Sequence, residues 1–474
     1  MPSYEALVPA AASVPGRLLI LLAAALLLPR PKALLLCPLL LLFFFFPARR
    51  TTILSIGSLW VLYDLADYGG TNRSMATIAV SMFFAFATCY LTFLAARSYR
   101  ALPALVQRNS QLVLHAVFLS ALGAAWALPR LFGAGGSVRE IVVGVRYVLP
   151  FLLWRCGYVL LAGKCGSAKQ SGFFDHFFYL LPAFGGSQTP YGKGYDHLRQ
   201  NRAEAATEIV RTQLSGVKLL ALAWLWKMVR SSLRSLVYGE GPPQRLLEDL
   251  VGTRSLELPR LSELIAGAGA PIPILWTSLV FELVMATLSL AIGGHLIVGS
   301  LRLFGYSVFR NTYRPLLSHS VVDFWNRYYY YFKELLVEFF FFPTYVAYFK
   351  TKPKLRILAA TMAAACVGNV YYHAVRDLSI LAEAGAASAL ALMAPRTFYG
   401  FLLGLGIFVS MLRERERRGI ASEPARSAWR FGLRLRAIGG VWLFYSLIHI
   451  WSVEPLRLTF GQRTRFFFSL FGIG

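Results

Sequence analysis

Apolar segments long enough to cross a bilayer alternate along this chain with short polar and basic segments. Because a helix rises about 1.5 Å per residue, roughly 20 residues span the hydrocarbon core. Shorter or more aromatic pieces lie at 173–184, 331–349 and 379–394. The pattern predicts an all-α, polytopic transmembrane protein with about 10–12 membrane segments. The predicted spans are 16–29, 33–47, 51–68, 75–96, 111–133, 140–162, 216–238, 271–303, 355–375, 396–412 and 437–453.

Composition agrees with a membrane protein and narrows the partners that it can have. Hydrophobic residues make up 57% of the chain, well above the share in soluble domains. Lysine and arginine outnumber acidic residues by 48 to 23, which gives a formal net charge of +25. The basic residues stand in short clusters between apolar runs, as in cytoplasmic loops under the positive-inside rule. We therefore predict the lipid bilayer as a partner, and no nucleic acid.

Two basic clusters predict the orientation of the C-terminal half. The clusters at Lys350–Arg356 and Arg413–Arg436 should both face the cytoplasm. The two spans between them, 355–375 and 396–412, give the even number of crossings that this requires. His373 then lies on the order of 25 Å from the first basic cluster, at about 1.5 Å per helical residue. It is therefore expected within the membrane or toward its far half.

The polar residues of the block Leu303–Pro343 and His373 are the strongest candidates for chemistry. Polar and ionisable groups at membrane depth are costly, and they mark cavities and reaction paths. An imidazole titrates near neutral pH, so His373 can take a proton from an attacking hydroxyl. Asn369 lies one helical turn earlier on the same face. The alternative is structural, because intramembrane histidines also serve as hydrogen bonders between helices.

The order of these residues resembles the membrane-bound O-acyltransferase family, in its bacterial branch that acylates cell-envelope polymers. That branch has a G…N…P…S…FW.RW block ahead of a histidine in a later membrane helix. A second stretch, Asp175–Arg199, resembles the loop that precedes the family's core, and the resemblance covers roughly residues 170–455. The matching block residues are Gly305, Asn311, Pro315, Ser318 or Ser320, and Phe324-Trp325-Asn326-Arg327-Tyr328.

The chain departs from the family pattern at two places. Tyr329 stands where polymer-acylating members usually have a histidine directly after the block. The later histidine normally follows a Ser-Gly-Leu-Trp type of sequence, but here the segment is Gly368–His373, GNVYYH. The identity of a second catalytic residue is therefore open, and Tyr329 is the candidate.

The resemblance implies an enzyme and a division of the chain. N-terminal transmembrane helices would occupy 1–170, an acyltransferase core 171–455 and a C-terminal tail 456–474. The implied activity moves an acyl group, such as acetyl, from a thioester donor to a hydroxyl acceptor, such as an envelope glycan or glycolipid. The co-substrate would be acyl-CoA or an acyl carrier protein, with no bound cofactor and no metal. The implied location is the bacterial cytoplasmic (inner) membrane, and no oligomeric state is predicted.

The residues expected at the site fall into two groups. The catalytic group is His373 as the base, with Asn369 and Tyr329. Aromatic residues of the block, Phe324 and Trp325, should wall off the thioester from water. Arginines such as Arg314 would neutralise donor phosphates or anchor to headgroups. The substrate-binding group is Asn311, His319, Trp325, Asn326 and Arg327.

Two other classes of function remain open. A polytopic glycosyltransferase that uses a lipid-linked sugar would need acidic residues in an early loop, where Asp64 and Asp67 stand. A transporter would use buried ionisable residues, and Glu282, Arg146 and Arg155 are candidates. Substitution of His373 should abolish acyl transfer, whereas substitution of Asp64 or Asp67 should matter only under the glycosyltransferase hypothesis.

Overall fold

A computed structural model describes residues 6–67, 74–131, 137–240, 255–419 and 427–473. The all-α prediction is confirmed, because helices connected by turns and loops make up the described chain. Within these ranges the one β-type pairing is an isolated bridge between Arg202 and Tyr306.

The described ranges contain twenty-two α-helices, which are numbered in chain order. The first eleven are Val8–Ala12 (α1), Val14–Leu27 (α2), Arg30–Phe45 (α3), Arg50–Asp67 (α4), Met75–Arg97 (α5), Ala104–Arg108 (α6), Ser110–Leu131 (α7), Ser137–Cys165 (α8), Phe173–Leu180 (α9), Tyr195–Gln200 (α10) and Ala206–Tyr238 (α11). The others are Leu261–Ala266 (α12), Ile272–Leu303 (α13), Val321–Tyr328 (α14), Tyr330–Leu336 (α15), Phe342–Ala347 (α16), Pro353–Met362 (α17), Asn369–Arg376 (α18), Leu378–Ala384 (α19), Ala386–Gly419 (α20), Ser427–His449 (α21) and Phe460–Ser469 (α22). Short 3₁₀ turns lie at Pro47–Arg49, Tyr99–Ala101, Ser167–Gln170 and Pro315–Leu317.

Six described helical segments are long and apolar enough to cross a membrane, which confirms an integral, multi-pass membrane protein. Every other predicted span also falls on a helix, but those helices are shorter or more polar. The number of ten to twelve crossings therefore stays a prediction. The six segments are Met75–Arg97, Ser110–Ala127, Gly144–Cys165, Ile272–Leu303, Pro353–Arg376 and Ala386–Glu414.

The chain forms two compact units, and the first comprises Met1–Ala221 and His295–Phe309. Its buried Arg50, at the start of α4, donates to the carbonyl oxygens of Gly305 at 3.2 Å and Ala203 at 2.5 Å. These carbonyls satisfy a guanidinium that would be costly to bury without hydrogen bonds. The contact also fixes the chain where it leaves α13.

The second unit comprises Leu222–Gly294 and Arg310–Gly474. Helices α12, α13 and α22 contribute to one of its hydrophobic clusters, in which Leu279 and Phe466 are buried. Buried Arg463 donates to the carbonyl oxygens of Ile450 at 2.6 Å and Val453 at 2.8 Å. The loop after α21 is thereby held in one conformation. The predicted division at residues 170 and 455 stays a prediction.

Two π-helical segments interrupt helices of the second unit. Val337–Phe341 joins α15 to α16, and Ala363–Gly368 joins α17 to α18. They pack against each other where Gly368 has no side chain, because a Cβ there would lie 2.7 Å from the ring of Phe340. Such segments are rare and are frequent at functional sites.

Gly294 allows Asn311 of the polar block to pack closely against α13. A Cβ at this position would lie 2.7 Å from the Cβ of Asn311, far inside contact distance. The neighbouring Gly293 faces open space, because a Cβ there would have nothing within 4 Å. Of these two glycines, only Gly294 is therefore required for this packing.

We expect Gly294→Ala to destabilise the protein by about 1–3 kcal/mol, the usual cost of overpacking. Gly293→Ala is the matched control, and it should be neutral or stabilise by up to about 1 kcal/mol, since alanine favours helix. Thermal unfolding of both purified variants measures the difference. Equal unfolding temperatures would contradict the packing of Asn311 against Gly294.

Candidate active site

The segment Asn311–Tyr313 satisfies the hydrogen-bonding groups at a break between two helices. Helix α14 ends at Tyr328 and α15 begins at Tyr330. At the start of α15, the N–H of Tyr330 donates to the carbonyl oxygen of Asn311 at 2.9 Å, and the N–H of Tyr331 donates to its Oδ1 at 3.3 Å. These are groups that a helix N-terminus leaves unsatisfied. Buried Asn311 thus caps α15 from a distant part of the chain.

The end of α14 is satisfied by the same segment. The N–H of Tyr313 donates to the carbonyl oxygen of Arg327 at 2.8 Å, and the Thr312 hydroxyl donates to that of Tyr328 at 3.0 Å. Both acceptors are last-turn carbonyls without partners in their own helix. The break at Tyr329 is therefore stabilised on both sides.

The start of α14 is anchored to α20. The Ser320 hydroxyl accepts from the N–H of Asp323 at 3.1 Å, as an N-cap, and donates to Glu414 Oε1 at 2.6 Å. The N–H of Val322 donates to the Ser410 hydroxyl at 3.2 Å. With both ends fixed, α14 can hold its side chains in one geometry.

Four consecutive residues of α14 have different surroundings. Phe324 is fully buried and stacks on Tyr445, with ring centroids 3.8 Å apart. Trp325 is 9% exposed, whereas Asn326 is exposed. Arg327 Nε lies 2.7 Å from Asp323 Oδ1, so its charge is neutralised within the helix. Phe324 therefore packs the core, and Trp325 is the aromatic residue available to a site.

A cavity of about 230 Å³ lies beside Trp325. Its polar lining residues are Asn326, Lys333 and Thr361. Both π-helical segments supply apolar wall, and α20 contributes Ile407 and Met411 to the lining. The apolar lining residues besides Trp325 are Val322, Leu336, Val337, Phe341, Ala364, Ala365, Ile407 and Met411.

His373 lies next to this wall and is oriented by aromatic rings. Its ring is edge-to-face with Phe332, at 6.1 Å between centroids, and with Tyr372 at 5.5 Å. Phe332 is also edge-to-face with Trp325 at 6.2 Å, so it lies between the cavity wall and the imidazole. His373 Nδ1 is buried and has no hydrogen-bond partner within the described ranges. A nitrogen in this state can take up a substrate proton or a hydrogen bond.

The structure brings some predicted site residues together, but Asn311 and Arg327, like His319, do not line the cavity. Tyr329 packs against Phe332, at 5.3 Å between ring centroids, and so joins the aromatic group beside His373. Asn369 is buried one turn before His373, in the same helix. His319 is exposed, and it is absent from the lining of the cavity. Phe332 was not among the predicted residues, although its place four residues after Tyr328 puts it on the continuing aromatic face.

An ion-pair network lies one turn beyond His373. Arg376 bonds both carboxylate oxygens of Asp377, at 2.9 and 3.0 Å, and also Glu454 at 3.1 Å. Buried Arg396 of α20 pairs with the same two carboxylates. Two arginines and two carboxylates balance in charge, so the network joins helices rather than attracting an anion. This network was not predicted from the sequence, although Arg396 after Pro395 interrupts an apolar run.

Asp377 connects this network to the helix of His373. Its N–H donates to the carbonyl oxygen of His373 at 2.9 Å. Burial alone would raise the pKa of the Asp377 carboxyl, but the two arginines outweigh it and hold the pKa below its ordinary value. The carboxylate is therefore charged at neutral pH, and α18 is held at its C-terminal end.

The upstream stretch that resembles the family's loop belongs to the first unit. It contains α9, a mostly buried loop and α10. Buried Arg155 donates to the loop carbonyl of Ser187 at 2.6 Å, as irregular backbone in a membrane protein requires. His176 Nε2 bonds the Ser171 hydroxyl at 2.7 Å, and burial lowers the pKa of His176 to about 4.

Most of the residues considered for a glycosyltransferase or a transporter have hydrogen-bond or aromatic-ring partners in the structure. Glu282 accepts from the Tyr238 hydroxyl at 3.1 Å. Arg146 lies over the ring of Trp126 at 3.7 Å and donates to the carbonyl oxygen of Ala125 at 2.8 Å. Asp64 is exposed, and the Asp67 side chain lies outside the described part. The glycosyltransferase and the transporter stay untested hypotheses.

The function is inferred from the residues of this chain, because similarity to known proteins does not indicate one. No protein-family model matches this chain, and no curated protein matches it. The resemblance to membrane-bound O-acyltransferases therefore stays a prediction from the order of residues between Gly305 and His373.

We expect Asp377→Asn to lower stability by roughly 1–3 kcal/mol at neutral pH, because it leaves two arginines short of a charged acceptor. The folded pKa of Asp377 is depressed, so its contribution is complete above its ordinary pKa of 3.8 and is lost as pH falls through the lower folded value. The difference between wild type and variant should therefore shrink in acid. Glu383→Gln, at an exposed position of α19, is the control and should change nothing. A difference that grows in acid would contradict this assignment.

Proposed function

We propose that this protein is an intramembrane O-acyltransferase that moves an acyl group from a thioester donor to a hydroxyl acceptor. One observation carries the proposal: Phe332 contacts both His373 and Trp325, so a half-buried imidazole, whose buried Nδ1 has no hydrogen-bond partner among the described residues, lies beside the wall of a cavity. The order of residues that resembles the acyltransferase family supports the same assignment.

The chemistry requires a base, alignment and donors for the developing negative charge. His373 takes the proton of the acceptor hydroxyl as its oxygen attacks the thioester carbonyl. The new C–O bond forms, the C–S bond breaks, and the proton passes from the imidazole to the departing thiolate. Asn326 lines the cavity and supplies a donor for the oxyanion of the tetrahedral intermediate, whereas the ammonium of Lys333, which also lines the cavity, is paired with Glu334.

The size of the cavity favours a small acyl group. Its volume of about 230 Å³ is below the roughly 300–1,000 Å³ of ordinary ligand pockets. Trp325 and the apolar wall keep water from the thioester, which would otherwise be hydrolysed. Acetyl fits this space, and the family resemblance favours an envelope glycan or glycolipid as acceptor in a bacterial cytoplasmic membrane.

We expect His373→Ala to lower both acyl transfer and donor hydrolysis by about 10²–10⁴-fold, the usual contribution of a general base. Trp325→Ala should instead raise free acid relative to acylated product, because water reaches the thioester. Purified variants are compared by measuring both products from one labelled donor.

His115→Ala is the control, because His115 packs against Trp154 in the first unit, at 4.9 Å between rings. It should keep both reactions. Normal transfer by His373→Ala would refute the role of the base. An unchanged product ratio in Trp325→Ala would show that the tryptophan is only packing.

A further inference from the structure

One phenylalanine ring separates the candidate base from the cavity. Trp325 lines the cavity, but His373 is not among the lining residues that the structure describes. Phe332 is edge-to-face with both, with centroid distances of 6.2 Å to the ring of Trp325 and 6.1 Å to that of His373. Phe332 is 5% exposed, so its ring is packed between the other two. In this conformation the imidazole does not reach a group bound in the cavity.

Helix α15 holds the ring of Phe332 directly behind the cavity wall. Lys333 and Leu336, one and four residues later in the helix, both line the cavity. Residues four apart lie on the same helical face, so Phe332 and Leu336 are neighbours along this wall. Tyr372, which precedes His373 in α18, packs edge-to-face against Phe332 at 4.7 Å between centroids. Phe332 is therefore held between the wall and the helix that carries the base.

The imidazole can be approached by a route that does not pass through the cavity. His373 is half-buried, so part of its surface is accessible, although it does not line the cavity. Its buried Nδ1 has no hydrogen-bond partner among the described residues. A thioester in the cavity and a hydroxyl at the accessible surface of His373 would thus be separated by the ring of Phe332.

We propose that Phe332 is a positioning residue that keeps the thioester apart from the base until the acceptor binds. Acyl transfer then requires the ring to turn aside, which brings the hydroxyl, the imidazole and the thioester carbonyl together. Without the ring, His373 would take a proton from water, the water oxygen would displace the thiol, and the products would be the free acid and the thiol. Trp325 keeps bulk water out of the cavity, whereas Phe332 keeps the base out of it. This inference rests on the proposed function.

The test compares donor hydrolysis without an acceptor and acyl transfer with one. Purified protein in phosphatidylcholine nanodiscs receives radiolabelled acetyl-coenzyme A, first alone and then with a glycolipid extract of bacterial envelopes. Without the extract, Phe332→Ala should raise the yield of free acid by about tenfold or more, because a general base contributes about 10²–10⁴-fold. Phe332→Leu should raise it less, since part of the barrier remains, and Phe332→Ala/His373→Ala should lose the increase. Phe466→Ala and Phe466→Leu are matched controls, because Phe466 is 4% exposed in the hydrophobic cluster of α22, and both should hydrolyse the donor as wild type does.

The outcomes separate this inference from simple packing and from the proposed function. If Phe332 only packs the core, its variants lose thermal stability and both products together, with no rise in free acid, and the inference is overturned. Phe332→Leu decides the same question if Phe332→Ala does not fold. A rise in free acid that persists in the double variant would also refute it, because His373 would not be the source. Transfer that depends on His373, with hydrolysis unchanged in both Phe332 variants, leaves the proposed function standing and removes only the barrier. A wild-type protein that forms no acylated product overturns both.

Discussion

The described site depends on one buried asparagine that joins three parts of the second unit. Asn311 caps α15 through its carbonyl oxygen and its Oδ1, and it fits against Gly294 of α13 because that position has no Cβ. Without these hydrogen bonds the start of α15, after the break at Tyr329, would have unsatisfied backbone N–H groups, each at a cost of about 1–3 kcal/mol. The break turns Phe332 toward Trp325 and His373. The geometry of the aromatic group therefore follows from a backbone capping interaction rather than from the aromatic residues alone.

Some charged side chains around this site are paired with opposite charges, and others are not. The Asp377 network is balanced, partly buried and bonded to the end of the His373 helix, so its effect is to hold that helix in position. Arg463 fixes the loop that presents Glu454 and so extends the same support toward the C-terminus. Half-buried Arg310 and exposed Arg314 instead lie over the ring of Tyr313 and have no carboxylate partner within the described chain. The balanced charges therefore stabilise the scaffold around the site.

The sequence predicted the long helices because their apolar runs match the length of a bilayer crossing, and it predicted the neighbourhood of Trp325 and His373 from the order of polar residues. It did not predict which face each residue would occupy. The π-helical segments add a residue to a turn and rotate the side chains after that turn, which a regular helical period cannot show. The Asp377–Arg396–Glu454 contacts join residues far apart in the chain, so no local pattern could indicate them. Lys333 was also not predicted to line the cavity, because the sequence pattern did not indicate the helix break at Tyr329 that precedes it.

The acyltransferase assignment is tested most directly by measuring whether this protein acylates a lipid or a glycan in cells. Lipids and glycans are compared by mass spectrometry from matched cells that lack the chain, express wild type or express His373→Ala at equal membrane levels. A gained acyl mass on a hydroxylated glycan or glycolipid is expected in the wild-type cells alone. The same mass gain in cells with His373→Ala would contradict it.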